Sequence, residues 1–263
     1  MPRTGNRRRP PKTLPKRSSK KRSNPSTRYW DITHRPIQCL VFLLPMIAAY
    51  EIGMAFSHGN FPLERPPNLA AEQLLFWFFS LFGVTGAYLP GVLLIVILLG
   101  WHVASRHPWK VSGYSLVGMA GESIVLAIPF LLLNELLRRA QPIQAVVVGE
   151  PLTGLDKLLL SIGAGLYEEL VFRLILISLL YMLLVDIARL REVTGVALAV
   201  ILSSLMFAAH HFAPIGDVPW SAPRFAFYAA CGAYLAAVFV LRGFGLAVGA
   251  HAFYDIAVSL MLH

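Results

Sequence analysis

Long apolar stretches alternate with short polar connections from residue 37 to the end of the chain. Seven of these stretches have about the 20 apolar residues that a membrane-spanning helix needs. They comprise residues 37–56, 74–103, 114–137, 155–188, 194–212, 225–241 and 246–262. Connections rich in proline and glycine, typical of surface loops, follow the first, third and fifth stretches. The pattern predicts an all-α, polytopic transmembrane helical bundle.

Two of the stretches are longer than one straight span requires. Residues 74–103 fit either one tilted span or a short interfacial helix followed by a span from about Tyr88, with Gly83, Gly86 and Pro90 marking the break. Residues 155–188 require a kink or a division. The bundle is therefore expected to contain seven or eight spans.

Composition and charge support the membrane class. The 263 residues are 56% hydrophobic and 14% charged, whereas an average soluble domain is about 25% charged. The formal net charge of +9 is concentrated at the N-terminus, where residues 1–35 hold 12 of the 23 Lys and Arg residues and one acid, Asp31. This basic excess indicates a tail and does not indicate a nucleic-acid-binding fold. Two cysteines, Cys39 and Cys231, lie in apolar stretches and give no disulfide framework.

The chain divides into a basic tail and a membrane domain. Residues 1–30 are rich in Arg, Lys, Pro and Ser and are predicted to be a disordered cytoplasmic tail that touches anionic lipid head groups. Residues 31–263 are predicted to form the transmembrane helical domain. The positive-inside rule predicts an integral, multi-pass protein of the cell inner membrane with a cytoplasmic N-terminus. Arg106, Lys110, Arg189, Arg191 and Arg242 agree with this orientation, and Arg138 and Arg139 oppose it.

Ionisable side chains interrupt three of the apolar stretches. A charge at the centre of a bilayer costs about 3 kcal/mol on insertion scales, so such residues are functional candidates. Membrane bundles turn them towards the interior, where they can pair. We therefore expect one shared site, built from Glu168, Glu169 and Arg173, from His210 and His211, and from His251 and Asp255.

Helical periodicity assigns different positions to these side chains. Residues four apart share a helix face, so Glu169 and Arg173 are predicted to form an ion pair that leaves Glu168 free to act. By the same spacing Phe207 shares a face with His211, whereas His210 is expected to point elsewhere. His251 and Asp255 also share a face.

A carboxylate and an imidazole that face one water are sufficient for acid–base hydrolysis. Glu168 would take the water proton, and His211 would assist or protonate the leaving amine. His251 could donate a hydrogen bond to the oxyanion, with Asp255 fixing its ring. This hypothesis requires Glu168, His211 and His251 to lie within about one water of each other, although His211 ends its span, so the fifth span must extend or tilt strongly.

Three motifs occur in order in the motif-bearing core, about residues 150–263. They are Glu-Glu-x-x-x-Arg at Glu168, Glu169 and Arg173, Phe-x-x-x-His at Phe207 and His211, and His-x-x-x-Asp at His251 and Asp255. Together they resemble the CAAX prenyl protease and bacteriocin-processing family of intramembrane glutamic endopeptidases. The resemblance implies that Glu168 activates water with His211, while His251 and residue 255 form the oxyanion hole. Many members have Asn at that last position, and an ionised Asp255 can only accept hydrogen bonds.

Two other functions remain open from the sequence. The same Glu and His set could hold zinc or iron in a metal-dependent intramembrane protease. A His-Glu-x-x-His helix is missing from the sequence, and Arg173 beside the acids disfavours a cation, so neither a metal nor another cofactor is expected. A proton-coupled transporter or a membrane scaffold would also contain intramembrane Glu and His. The preferred hypothesis is a peptidase whose partners are membrane lipids and a membrane-associated protein or peptide substrate.

Overall fold

The structure, a computed structural model, describes residues 25–57, 69–86, 88–140, 153–212, 214–216 and 218–261. These described ranges contain nine helices. In those ranges β-type pairing is limited to an isolated bridge between Phe212 and Val218. The helices are α1 (Pro25–Thr33), α2 (Pro36–Ser57), α3 (Ala70–Ser80), α4 (Leu89–Ser105), α5 (Gly113–Ala140), α6 (Gly154–Ile187), α7 (Glu192–His210), α8 (Ala222–Arg242) and α9 (Phe244–Met261).

The predicted membrane bundle is confirmed. By length and composition α2, α5, α6, α7 and α8 can cross a membrane, and the two shorter apolar helices α4 and α9 complete the seven predicted stretches. The predicted stretch at residues 74–103 is divided between α3 and α4, as in the second of the two alternatives. Gly83 lies between them with a φ of +71°, a conformation that favours glycine.

The outside of the bundle is apolar, as a lipid-facing surface requires. Val117, Val125 and Leu132 on α5 are 75%, 62% and 62% exposed, and Val193 on α7 is 81% exposed. A soluble monomer rarely exposes a contiguous apolar surface of this kind. The protein is therefore an integral, multi-pass membrane protein.

Helix α6 runs for 34 residues without a break. The helix is not divided, and it contains two π-helical segments, Leu170–Ile177 and Met182–Ile187, a feature that commonly bends a helix. The first of them begins directly after Glu169, and π-helical turns occur frequently at functional sites.

The basic tail predicted for residues 1–30 lies mostly outside the described residues. Its last part is helical, because α1 begins at Pro25. The composition of the tail gave no signal for this helix, which instead packs against the bundle: Tyr29 donates a hydrogen bond to Glu122 of α5 at 2.8 Å. Burial and the neighbouring Glu122 carboxylate raise the pKa of Tyr29, so its hydroxyl keeps its proton.

An ion pair between a buried arginine and a half-buried glutamate joins α5 to the end of α8. Arg242 donates from Nε and Nη2 to the two oxygens of Glu122 at 2.6 and 2.8 Å. Its guanidinium also lies 3.5 Å from the centre of the Trp30 ring, and Nη1 contacts Thr33 Oγ1 at 3.4 Å. The sequence analysis counted Arg242 among the loop charges that indicate orientation, but Arg242 is a buried structural residue.

Two glycines let the helices that hold the ionisable residues come close together. A Cβ atom at Gly165 of α6 would lie 2.9 Å from the backbone nitrogen of Ala252 in α9. A Cβ atom at Gly232 of α8 would lie 3.1 Å from Ser204 Cα in α7. This close packing brings the middle of α6 next to His251 and brings α8 next to the end of α7.

Candidate active site

Glu168 lies next to the three histidines at the end of α7 and in α9, as the expectation of one shared site requires. Its Oε1 is 3.5 Å from His210 Nε2, and its Oε2 is 3.9 Å from the Nε2 atoms of both His211 and His251. The residue is buried, with 8% of its surface exposed. Within the described residues, Oε2 has no hydrogen-bond partner. Glu168 therefore presents one unpartnered oxygen to two imidazole rings.

Glu169 holds the site together from the other side. Its Oε2 lies 3.1 Å from Arg173 Nε, the predicted i,i+4 pair, in an ion-pair contact that lacks the angle of a hydrogen bond. Its Oε1 lies 2.9 Å from His251 Nδ1. The guanidinium of Arg173 lies 4.1 Å from the centre of the Phe207 ring and donates to Gly232 O at 3.2 Å. Glu169 thus bridges Arg173 and His251, a contact that helical spacing did not predict.

The expectation that His210 points elsewhere is wrong. His210 is 2% exposed and its ring is the nearest imidazole to Glu168. Helix α7 ends at His210, and the chain turns back after His211, where Val218 N donates to His211 O at 3.1 Å. The 100° rotation between successive helical residues therefore does not separate the two rings. Both face Glu168.

Phe207 orients both histidines through its backbone carbonyl. Its oxygen lies 2.5 Å from His210 Nδ1 and 2.8 Å from His211 Nδ1. Because a carbonyl oxygen only accepts, each Nδ1 must carry the hydrogen, which leaves both Nε2 atoms directed at Glu168. The Phe207 ring also contacts His211 and His251, with centres 4.9 and 5.9 Å apart.

Asp255 contacts His251 through Nε2 and not through Nδ1, the nitrogen that a residue orienting the ring would hold. Its Oδ2 lies 3.4 Å from His251 Nε2, the atom that also faces Glu168. Glu169 contacts Nδ1 instead. Glu169 therefore fixes the His251 ring, and Asp255 lines the same space as Glu168.

Two aromatic residues near the histidines were missed by sequence reasoning. Tyr228 of α8 stacks on His211 with ring centres 3.9 Å apart and an angle of 16° between the planes. Phe172 of α6 contacts the His210 ring at 4.6 Å between centres. Neither stands out in its apolar stretch, because aromatic residues at helical spacing are ordinary core residues.

The structure thus defines a polytopic membrane protein with a buried carboxylate–imidazole cluster inside the bundle. Residues 151–257 match the model of a protein family described as Rce1-like, "Type II CAAX prenyl endopeptidase Rce1-like". The match includes all three motifs and confirms the family resemblance predicted from them. It supports a CAAX-type intramembrane endopeptidase, that is, a hydrolase of peptide bonds. Comparisons with curated proteins and with solved structures gave no match.

Proposed function

We propose that the protein is an intramembrane endopeptidase of the glutamic type that hydrolyses a peptide bond of a membrane-associated protein or peptide. The observation that carries this proposal is the position of Glu168 Oε2, 3.9 Å from Nε2 of His211 and of His251. A separation of 3.9 Å is too long for a hydrogen bond between the two groups. One water molecule can bridge it with two hydrogen bonds of about 2.8 Å.

Glu168 and His211 have the geometry to activate that water. In a neutral His211 ring, Nδ1 donates to Phe207 O, so Nε2 accepts. A water between Nε2 and Glu168 Oε2 donates one hydrogen to each, and a lone pair of its oxygen remains for the scissile carbonyl carbon. As that oxygen attacks, Glu168 takes its proton. Glu168 passes that proton to the free Nε2 of His211, and His211 delivers it to the leaving nitrogen as the C–N bond breaks, so the products are the new carboxylic acid and the free amine and both residues return to their starting states.

The contacts of His251 support a role for it in stabilising the oxyanion. Its Nδ1 contacts the Glu169 carboxylate at 2.9 Å, and its Nε2 faces Asp255 at 3.4 Å. Carboxylates at both nitrogens favour a ring that carries a hydrogen on each of them. The Nε2 hydrogen can then be donated to the oxyanion as negative charge develops. Under this proposal Asp255 accepts a hydrogen bond from His251. Stabilisation of the oxyanion therefore does not need an Asn amide at position 255.

The substrate class follows from the family and the setting. The family name specifies a CAAX prenyl endopeptidase, which suggests a peptide with a prenylated cysteine near its C-terminus. Such a substrate would reach a site inside the bundle from the surrounding lipid. We also propose, from the positive-inside rule, that the N-terminus is cytoplasmic in a cell inner membrane.

The proposal is tested with purified protein in proteoliposomes. Two peptides ending in Cys-aliphatic-aliphatic-X, one farnesylated and one not, are incubated with the wild type and with Glu168→Gln in the presence of a chelator. The wild type should cleave at least the farnesylated peptide. Glu168→Gln should lose about 10²- to 10⁴-fold in rate, the range for loss of a general base.

Glu135→Gln is the matched control, because Glu135 lies on α5 at the surface with its side chain 37% exposed. It should cleave at the wild-type rate. Full activity of Glu168→Gln would refute the mechanism. Loss of wild-type activity on chelation, with recovery on adding zinc, would favour the metal-dependent alternative.

A further inference from the structure

His210 is the buried imidazole that the proposed mechanism does not use. The Phe-x-x-x-His motif and the water position both involve His211. Nevertheless His210 Nε2 is the nitrogen nearest to Glu168, 3.5 Å from Oε1. Its ring contacts those of Phe172 and Phe207, with centres 4.6 and 5.4 Å away. A residue held this firmly against the central carboxylate needs its own explanation.

The hydrogen bonds of the two histidines leave their lone pairs facing Glu168. Both Nδ1 atoms donate to Phe207 O, so in neutral rings both Nε2 atoms are acceptors. A carboxylate oxygen is also only an acceptor. Two imidazole lone pairs and a carboxylate in one buried space repel each other unless a water, a proton or a cation lies between them, and the proposed mechanism assigns a water to the His211 side alone.

The charges around the cluster favour a cation. Three carboxylates face the site, those of Glu168, Glu169 and Asp255, and within the described residues one Arg, Arg173, lies beside them. Arg173 contacts Glu169 and the Phe207 ring. With His251 carrying a hydrogen on both nitrogens, as proposed above, and with His210 and His211 neutral, the cluster has a formal charge of −1, and a buried net charge needs compensation.

We propose that Glu168, His210 and His211 bind a divalent transition-metal ion of the zinc type, and that this ion inhibits hydrolysis. One ligand atom from each residue can be chosen so that all lie within 4.8 Å of one another. Zinc binds imidazole nitrogen and carboxylate oxygen at about 2.0–2.2 Å, which places ligand atoms about 3.4 Å apart, so a small side-chain movement closes the site. Metal-binding histidines commonly donate their other ring N–H to a backbone carbonyl, as both do here to Phe207.

Inhibition follows if the proposed function is correct. An ion bound to Glu168 and His211 occupies the carboxylate that takes the water proton and the Nε2 lone pair that holds the water. Binding itself does not depend on that mechanism. Metal binding and inhibition of hydrolysis can therefore be tested separately.

Binding is measured on the metal-free full-length protein in detergent. Co²⁺ serves as the probe, because its visible absorption bands report a site of low coordination number, and Zn²⁺ is then added to displace it. We expect one Co²⁺ per chain in the wild type and in His107→Gln, a control at an exposed histidine. His210→Gln, which removes the imidazole ligand and keeps a polar side chain, should bind at least about tenfold more weakly, as should Glu168→Gln.

Inhibition is measured as the ratio of cleavage rates with and without Zn²⁺. Wild type and His107→Gln should be inhibited, and His210→Gln should need at least about tenfold more Zn²⁺ for the same inhibition. If His210→Gln does not fold, Glu168→Gln still tests the site through binding, which needs no activity. Absence of Co²⁺ binding by the wild type, or unchanged binding by a folded His210→Gln or Glu168→Gln variant, would overturn the site. Binding that needs His210 together with faster cleavage in Zn²⁺ would keep the site and overturn both the inhibition and the glutamic mechanism.

Discussion

Two buried groups of charged side chains in this bundle differ in how completely their charges are paired. The Glu122–Arg242 group contains one acid and one base, and hydrogen bonds at 2.6 and 2.8 Å join Arg242 to the two carboxylate oxygens. Tyr29 and Trp30 of α1 cover it. The Glu168 group contains three acids, one Arg and three imidazoles, and Oε2 of Glu168 lacks a hydrogen-bond partner within the described residues.

The difference separates a structural ion pair from a candidate active site. Ionisable residues inside membrane helices are functional candidates by default, yet position alone would have given Glu122 and Glu168 the same weight. Both oxygens of the Glu122 carboxylate accept hydrogen bonds from Arg242, and Tyr29 donates a further one, so its charge is already paired. An unpaired carboxylate oxygen beside imidazoles costs stability, so it is retained only where it serves chemistry or binding.

Glu169→Gln should have the largest effect, because it affects both stability and activity. Arg173 loses its ion-pair partner and His251 loses its orienting carboxylate. Removing one partner of a buried ion pair costs about 3–5 kcal/mol. Thermal unfolding in detergent and cleavage per folded molecule measure the two losses. Wild-type stability in this variant would show that Arg173 does not need Glu169.

His211→Ala should remove most of the rate and leave the fold intact. Loss of an acid–base group costs about 10²- to 10⁴-fold. His210→Ala should lose much less in metal-free assays, because its Nε2 faces Oε1 of Glu168 and not Oε2. Steady-state kinetics of the two variants compare the positions directly. A larger loss for His210→Ala would assign the catalytic water to the Oε1 side.

Glu122→Gln should destabilise the protein without removing activity from the molecules that remain folded. It leaves Arg242 buried without its partner, at a cost of about 3–5 kcal/mol. The double variant Glu122→Gln/Arg242→Met should recover much of that loss, since apolar replacement of a buried pair is often neutral. Unfolding temperatures of the single and double variants check this. A double variant no more stable than the single would mean that α1 packing, through Trp30, dominates the cluster.

Tyr228→Leu should have the smallest effect. It removes the ring that stacks on His211, an interaction of about 0.5–1.5 kcal/mol beyond burial, which corresponds to a loss in rate of about 2- to 13-fold. Tyr228→Phe keeps the ring and should retain the wild-type rate. Comparing kcat and KM for both variants identifies the loss as one of His211 position. Equal loss in Tyr228→Phe would assign the effect to the hydroxyl.

Much of this arrangement could be predicted because it depends on local spacing. The i,i+4 contact between Glu169 and Arg173 follows from helical periodicity, and the seven apolar stretches follow from length and composition. Convergence of Glu168 with His211 and His251 followed from the cost of isolated charge in a membrane.

What could not be predicted depends on where helices end and pack. His210 faces Glu168 because α7 ends there, and helix ends are uncertain by one or two residues from sequence. The Glu169–His251 contact depends on the close approach of α6 and α9 at Gly165 and Ala252. The pairing of Glu122 with Arg242 joins residues 120 positions apart, and no spacing rule reaches that far.

The distinction between a catalytic Glu168 and a structural Glu122 is tested most directly by comparing Glu168→Gln with Glu122→Gln in one experiment. Both replace a membrane carboxylate by its neutral isostere, and both variants are assayed for unfolding temperature and for cleavage per folded molecule. We expect Glu168→Gln to keep its unfolding temperature and to lose about 10²- to 10⁴-fold in cleavage rate. We expect Glu122→Gln to lose stability and to keep its cleavage rate. A catalytically active Glu168→Gln, or an inactive but stable Glu122→Gln, would contradict this distinction.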